Sequence, residues 1–238
     1  DLDLLGRRRP HSHYRNIVWN RGERLFAAVQ VPEPDGGRWQ PTLWSPPMLA
    51  DHWTWPGLEG RPLQVEVFSR CETIRVLLND SLVAEQSMSE ETEFRAVVEV
   101  PYEPGRLTVG GLEGGRETER CELAAAGEPV AVRLVAESPA VPARRQSIAF
   151  VTVEVVDAAG EVCPHADHRV EFAVTGPATI AAVGSADLAT TESYLANPRK
   201  VYQGRGQVIL RANGTPGTIR LRASAPGLLQ AEATILAE

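Results

Sequence analysis

The sequence is almost without lysine: Lys200 is the only one among 24 Lys and Arg residues. A GC-rich coding bias accounts for this better than selection for bidentate anion recognition. Acidic side chains number 31 and the formal net charge is −7, which argues against a general nucleic-acid or anionic-membrane surface. Cysteine is scarce as well. Cys71, Cys121 and Cys163 form an odd, sparse set that is not a disulfide framework. A Cys71–Cys121 bridge is geometrically open, but free buried thiols are the preferred reading. No apolar run reaches the roughly 18 residues of a spanning helix. There is no G-x-S-x-G, no P-loop and no G-x-G-x-x-G following a strand. No cofactor and no metal are therefore expected.

What the chain does have is turn residues and period-two patterning. Its 238 residues include 18 Pro and 20 Gly, and 43% are apolar, which suits an all-β chain with packed cores. The stretch from Trp53 to Asn79 sets the pattern. Leu63, Val65 and Val67 alternate with Gln64, Glu66 and Phe68, and Ile74, Val76 and Leu78 alternate with Thr73, Arg75 and Leu77. Each run reads as a strand with one face on a core. The short polar Ser69–Glu72 link makes them a hairpin, and Asn79-Asp80 marks the next tight turn, because both residues tolerate positive φ. Further strands are expected near 81–86, 93–100, 106–112 and 116–123, with turns at Pro104-Gly105 and Gly114-Gly115. After a short boundary at 124–129, seven more follow near 130–136, 147–157, 168–175, 178–183, 206–213, 217–225 and 230–236. That is the count of an immunoglobulin-like sandwich.

Four segments result: 1–22, 23–60, 61–125 and 126–238. The first holds the one helical candidate, with Pro10 in its first turn and Tyr14, Ile17 and Val18 on one stripe. A lone helix ahead of β-rich sequence has little of its own chain to pack on. The second is a Trp- and Pro-rich connecting loop in which Leu25, Ala27 and Val29 could form one strand. All five tryptophans, at 19, 39, 44, 53 and 55, fall in the first quarter of the chain. The favoured reading is a buried inter-domain seam filled by indoles. The other is a sugar-stacking platform, for which Trp39, Trp44, Trp53 and Trp55 are the candidate substrate-binding residues. The long 184–205 loop is a second place for function or docking.

Other constellations carry less. Cys163, His165, Asp167 and His168 form C-P-H-A-D-H. Their spacing matches no zinc pattern, and Pro164 with Ala166 reads as a strand-connecting turn. His11 and His13 lie two apart and do not share a helix face. Glu90-Glu91 reads as a solvated loop rather than a facing pair of glycosidase carboxylates. Asn79-Asp-Ser and Asn213-Gly-Thr match the glycosylation sequon, but both sit where a hairpin turn favours Asn for backbone reasons.

Taken together, the motifs show a resemblance. Asp3-Leu-Leu-Gly6, then Arg9-Pro-His-Ser-His-Tyr-Arg15 and Trp19, resemble the end of the catalytic barrel in family 2 glycoside hydrolases, the β-galactosidase group. Its pattern D-x-x-G-F-x-K-P-Q-S-Y-Y-R-D-x-L-W is matched at Gly6, Pro10, Ser12, Tyr14, Arg15 and Trp19, with His11, His13 and Asn16 as departures. The run from Trp53 to Asp80 resembles the opening of the sandwich that follows the barrel, with Asp80 in place of the usual Gly. Tyr102-Glu-Pro-Gly105 and Leu107 continue it. Phe150–Asp157, Pro164, Ala166, Asp167, Val170 and Phe172 resemble the family's C-terminal immunoglobulin-like domain, as do Ala182–Ser185, Glu192-Ser193, Arg199 and Val208–Arg211.

The resemblance implies an all-β pair of tandem immunoglobulin-like β-sandwiches, 61–125 and 126–238, with a short N-terminal helix left over from a (β/α)8 barrel. It implies non-catalytic accessory domains of a retaining β-galactosidase-like enzyme whose two catalytic glutamates lie upstream, so no catalytic residue is assigned here and the chain alone is expected to be inactive. The start at Asp1 without Met, and the lack of a visible signal peptide, read as a piece of a longer bacterial protein. The partner implied first is the catalytic barrel of the parent chain. A β-galactoside or oligosaccharide, and a second copy in a homo-oligomer, stay open; nucleic acid and membrane are not expected. The alternatives are a carbohydrate-binding module using the Trp loop and an adhesin-like sandwich pair with a protein partner.

Overall fold

The computed structural model describes residues 2–33, 37 and 47–238. The chain divides into two compact units after Ala125, with residues 3–7 counted in the second.

The first unit begins with helix α1 (Pro10–Val18) and continues through β1 (Leu25–Gln30), β2 (Leu49–Ala50), β3 (Pro62–Ser69), β4 (Thr73–Leu78), β5 (Ser81–Ser87), β6 (Arg95–Pro101), β7 (Arg106–Glu113) and β8 (Arg116–Ala124). One sheet runs β2-β1-β3-β6 and the other β5-β4-β7-β8, and every pairing in them is antiparallel. Alternate residues face the core: Leu25, Ala27 and Val29, then Leu63, Val65 and Val67 from one sheet, and Ile74, Val76, Leu107 and Val109 from the other. The period-two reading of β3 and β4 therefore holds, because each strand has one face to bury. The segment expected to be connecting loop contributes β1, which pairs with β3 from Leu25↔Ser69 to Val29↔Val65. The alternation of Leu25, Ala27 and Val29 offers this one strand in the sequence ahead of the proline-rich stretch.

The other face of β3 is covered too. Glu66 and Phe68 are buried, and α1 lies over them. Tyr14 packs on Phe68 with ring centroids 4.7 Å apart, His13 stacks on Phe26 at 3.9 Å, and Ile17 is fully buried. The helix expected to have little to pack on is thus seated on its own unit. Glu66 survives burial because its partners are complete: Arg95 Nε and Nη2 donate to it at 2.9 and 3.0 Å, and Gln30 Nε2 at 2.7 Å. A buried carboxylate without such donors is strongly destabilising. At the helix C-terminus, the Arg70 guanidinium donates to the carbonyls of Ile17 and Val18, where a cation also opposes the helix dipole.

Turn chemistry follows the sequence where a side chain demands it. Asn79 and Asp80 have φ of 48° and 65° and join β4 to β5 through the pair Leu78↔Ser81. Asn79 Oδ1 accepts the Arg106 N–H at 2.9 Å and Nδ2 donates to the Pro104 carbonyl at 3.2 Å. This side chain tolerates no neighbour: a Cβ on Gly105 would come within 1.9 Å of Asn79 Oδ1, and Gly105 has φ +136°.

The second unit holds β9 (Ala131–Ala136), β10 (Ala140–Val141), β11 (Ile148–Val156), β12 (Arg169–Thr175), β13 (Ala178–Gly184), β14 (Arg199–Lys200), β15 (Arg205–Ala212), β16 (Gly217–Ser224) and β17 (Ala231–Ala237). Its sheets run β13-β15-β11-β9 and β10-β17-β16-β12-β14. All seven expected strands are present, with the two-residue β10 and β14 in addition. β10 lies parallel to β17. Val151, Val153, Val208 and Leu210 face Val170, Phe172, Ile219 and Leu221 across one core. The turn after β11 is built on Asp157, which accepts N–H bonds from Gly127, Ala159 and Glu161 at 2.7, 2.9 and 2.8 Å. Desolvation pushes its carboxyl pKa up, but these backbone donors outweigh it and hold the group below its ordinary range.

Two outcomes follow from these contacts. Gly105→Ala should destabilise the first unit by roughly 2 kcal/mol or more, read from denaturant midpoints, because clash and strained φ act together. Asp157 should give the second unit an acid-labile increment. Its pKa is depressed on folding, so the stabilisation is complete above the unfolded value near ~3.9 and is lost as pH falls through the folded value. Asp157→Asn should cost about 1.5–3 kcal/mol at neutral pH and flatten stability between neutral pH and the acid limb in urea titrations.

Candidate functional site

Of the four tryptophans expected as a sugar platform, the two among the described residues lie in a core. Trp39 and Trp44 lie outside the described residues. Trp53 is fully buried and Trp55 is 8% exposed, both within the core of the first unit. The Trp53 indole N–H donates to the Glu103 carbonyl at 2.8 Å, and its ring meets the Tyr102 ring edge-on at 5.3 Å. The Tyr102 hydroxyl in turn accepts the Trp55 backbone N–H at 3.0 Å. Both indoles act here as filler, the Trp53 ring tied by its N–H and Trp55 held only through its backbone, its indole N–H being buried without a hydrogen-bond partner among the described residues. These two indoles fill the core of the first sandwich rather than the inter-domain seam expected from the sequence.

C-P-H-A-D-H forms a turn. The Ala166 N–H donates to the Cys163 carbonyl at 3.0 Å. Cys163 points inward, whereas His165 and Asp167 are exposed; the Asp167 carboxylate pairs with Lys200 Nζ at 2.5 Å. Among the described residues, no group of three or more His, Cys, Asp or Glu side chains is placed to hold a metal ion. Burial pushes the Cys163 thiol up to about 11, with the Asp157 and Glu128 charges adding to the effect. All three cysteines are free. His11 and His13 serve different contacts. His13 Nδ1 meets Glu23 Oε1 at 2.5 Å, while burial, reinforced by Arg95 and opposed by Glu66, holds His11 below its ordinary pKa.

The long loop before β15 is organised by a buried cation. Arg199 is 1% exposed. Its Nη1 donates to the carbonyls of Glu192 and Ser193 at 2.8 and 2.6 Å, and its guanidinium stands 5.4 Å from the Tyr194 ring centroid. Asn197 brackets Phe172, accepting its N–H at 2.9 Å and donating to its carbonyl at 2.7 Å.

Where this loop returns to the sheet, the second unit has a groove of about 160 Å³. One wall is the outward face of β11 and β15, with Thr152 and Gln207 as cross-strand neighbours. The opposite wall is the 3–7 segment. Asp3 Oδ1 accepts the N–H groups of Leu5 and Arg7 at 2.8 and 2.9 Å, which fixes this wall's shape. The lip is the turn Tyr202–Arg205, closed by reciprocal backbone bonds of 2.8 and 3.0 Å. Gln203 has φ +52° and Gly204 φ +71°. Gly204 is required, since a Cβ there would approach the Cys163 carbonyl oxygen to 2.4 Å. Gln203 is not a turn-favoured residue, and the left-handed conformation costs it about 1 kcal/mol or more. Sequence reading passed over this turn, because Gln-Gly is a weak hairpin signal beside Asn-Gly.

Comparison with known proteins places these sandwiches. Residues 132–234 match the model for glycoside hydrolase family 2 C-terminal domain 5, and residues 60–119 match a domain of unknown function, DUF4982. A β-galactosidase of Bacteroides ovatus is 30% identical over 194 residues, covering 80% of this chain and 22% of that protein. A β-glucuronidase of Formosa agariphila is 27% identical over 192 residues, covering 79% and 19%. The crystal structure of a family 2 glycosyl hydrolase member from Bacteroides cellulosilyticus superposes with a TM-score of 0.91 at 32% identity, over 100% of this chain and 31% of that one. The chain therefore spans less than a third of the length of these relatives.

Because Trp53 is wholly enclosed, Trp53→Ala should cost roughly 3–5 kcal/mol, seen as a fall in the unfolding midpoint of the first unit. Retained stability would mean that its ring is not enclosed.

Proposed function

We propose, because this chain carries the C-terminal β-sandwich region of a glycoside hydrolase family 2 enzyme, that it serves as a non-catalytic accessory part of a β-galactosidase-like glycosidase. The observation that carries this is the match at 32% identity and TM-score 0.91 over the full chain but only 31% of a family 2 hydrolase. In this reading the parent enzyme hydrolyses terminal β-galactosides with retention, using two carboxylates roughly 5–5.5 Å apart on a catalytic barrel. The sandwiches buttress that barrel and shape its surroundings.

The chain's own carboxylates support an accessory role. Among the described residues, Glu66 and Asp157 are the buried ones. Glu66 is held by Arg95 and Gln30, and Asp157 by backbone N–H groups. A general acid needs a carboxyl whose pKa is raised toward the working pH, whereas Asp157 is held low. The galactoside preference follows the β-galactosidase relative, at 30% identity against 27% for the β-glucuronidase.

The test compares the isolated chain with the complete polypeptide that carries it, on nitrophenyl β-galactoside and nitrophenyl β-glucuronide. The isolated chain should turn over neither. The complete enzyme should prefer the galactoside and release product with the β-anomer first, seen by NMR. Turnover by the isolated chain would sink the accessory reading, and a glucuronide preference would sink the galactoside assignment while leaving the accessory role standing.

A further inference from the structure

We propose that the groove in the second unit, bounded by the 3–7 segment, Thr152, Gln207 and the Tyr202–Arg205 turn, is a binding site for a single neutral pyranose residue. The groove lies wholly among residues of that unit. Its volume of about 160 Å³ is well under the roughly 300–1,000 Å³ of drug-sized sites, so it admits one small ring.

Its lining carries no net formal charge. Two arginines, Arg7 and Arg205, are balanced by Asp3 and Glu137. Asp3 is engaged by backbone N–H groups, and Arg205 Nε reaches Glu154 at 3.4 Å. Uncharged groups line the same groove: the Thr152 hydroxyl, the Gln203 and Gln207 amides, and Tyr202, which is 39% exposed. Amides and hydroxyls both donate and accept, which matches the vicinal hydroxyls of a sugar. An aromatic ring beside them offers apolar surface to the C–H face of a pyranose, while its hydroxyl stays wet.

The second line of support is backbone strain. Gln203 holds φ +52° on the lip of the groove, in a turn position that Asn, Asp or Gly would fill at lower cost. Residues kept in such a conformation cluster at ligand sites, where the side chain is needed despite the strain. The walls are set beforehand by the Asp3 turn and by the β11–β15 ladder, so little ordering cost remains for binding.

The experiment is an NMR titration of the isotope-labelled chain with methyl β-galactopyranoside and methyl β-glucopyranoside, with glucuronate and sulfate as charged probes. The expected result is saturable shifts of the Thr152, Gln203 and Gln207 amides by a methyl pyranoside in the millimolar range. Gln203→Gly relieves the positive φ and keeps the turn, yet should weaken binding by roughly tenfold or more; Tyr202→Ala should do the same. The site is refuted by no saturable shift up to tens of millimolar, by binding that both variants leave unchanged, or by sulfate or glucuronate binding more tightly than the neutral sugars. Catalysis does not enter the readout, so this outcome is independent of whether the parent enzyme is a galactosidase.

Discussion

A sandwich buries one face of every sheet, and the chain between strands must then satisfy its own backbone in a nearly dry setting. In this protein a few polar side chains meet that demand. Asn79 serves the groups around the β4–β5 and β6–β7 connections, and Tyr102 receives the N–H of Trp55. Asp157 gathers the donors of its turn. Asn197 and Arg199 hold the long loop before β15 through carbonyls and an N–H. The valines and leucines of the strands are interchangeable within limits of volume. These side chains are not, because removing one leaves the backbone groups it serves without their partner.

That division explains what was legible in the sequence. Alternation in β3, β4, β11 and β16 is written directly in the order of apolar and polar residues, since a strand's faces have period two. The Asn79-Asp80 turn was legible for a similar reason: φ > 0 restricts which residues fit. Strand β1 was harder, because Leu25, Ala27 and Val29 give only three inward positions before the proline-rich stretch. The docking of α1 was not legible. It depends on Phe26, Glu66 and Phe68 lying on the same outer face, which requires knowing the β1–β3 register. Trp53 and Trp55 show the converse limit. A cluster of tryptophans has the same composition whether the rings line a surface or fill a core, and only burial separates the two.

The covered outer face of β3 also bears on function. Glu66, Arg95, His11, His13 and Glu23 gather near α1, and a sequence holding two histidines and two glutamates there invites a catalytic reading. The geometry assigns them otherwise. Glu66 spends both oxygens on Arg95 and Gln30, and His13 is stacked on Phe26. The bonds that Glu66 makes to Arg95 and Gln30, and His13 to Glu23, stabilise the docked helix.

In the second unit the same accounting leaves something over. The Asp3 turn and the β11–β15 ladder close on themselves, while Arg199 bonds its loop through Nη1 and keeps Nε and Nη2 buried without a hydrogen-bond partner among the described residues. Thr152, Tyr202, Gln203 and Gln207 present uncharged polar groups into a groove, and one of them does so from a left-handed backbone. A fold that places its polar residues where backbone needs them does not require Gln at that position. Glycine would make the same turn without the strain. In the proposed site that side chain, with one donor group and one acceptor group at the lip of a small groove, is suited to the hydroxyls of a sugar.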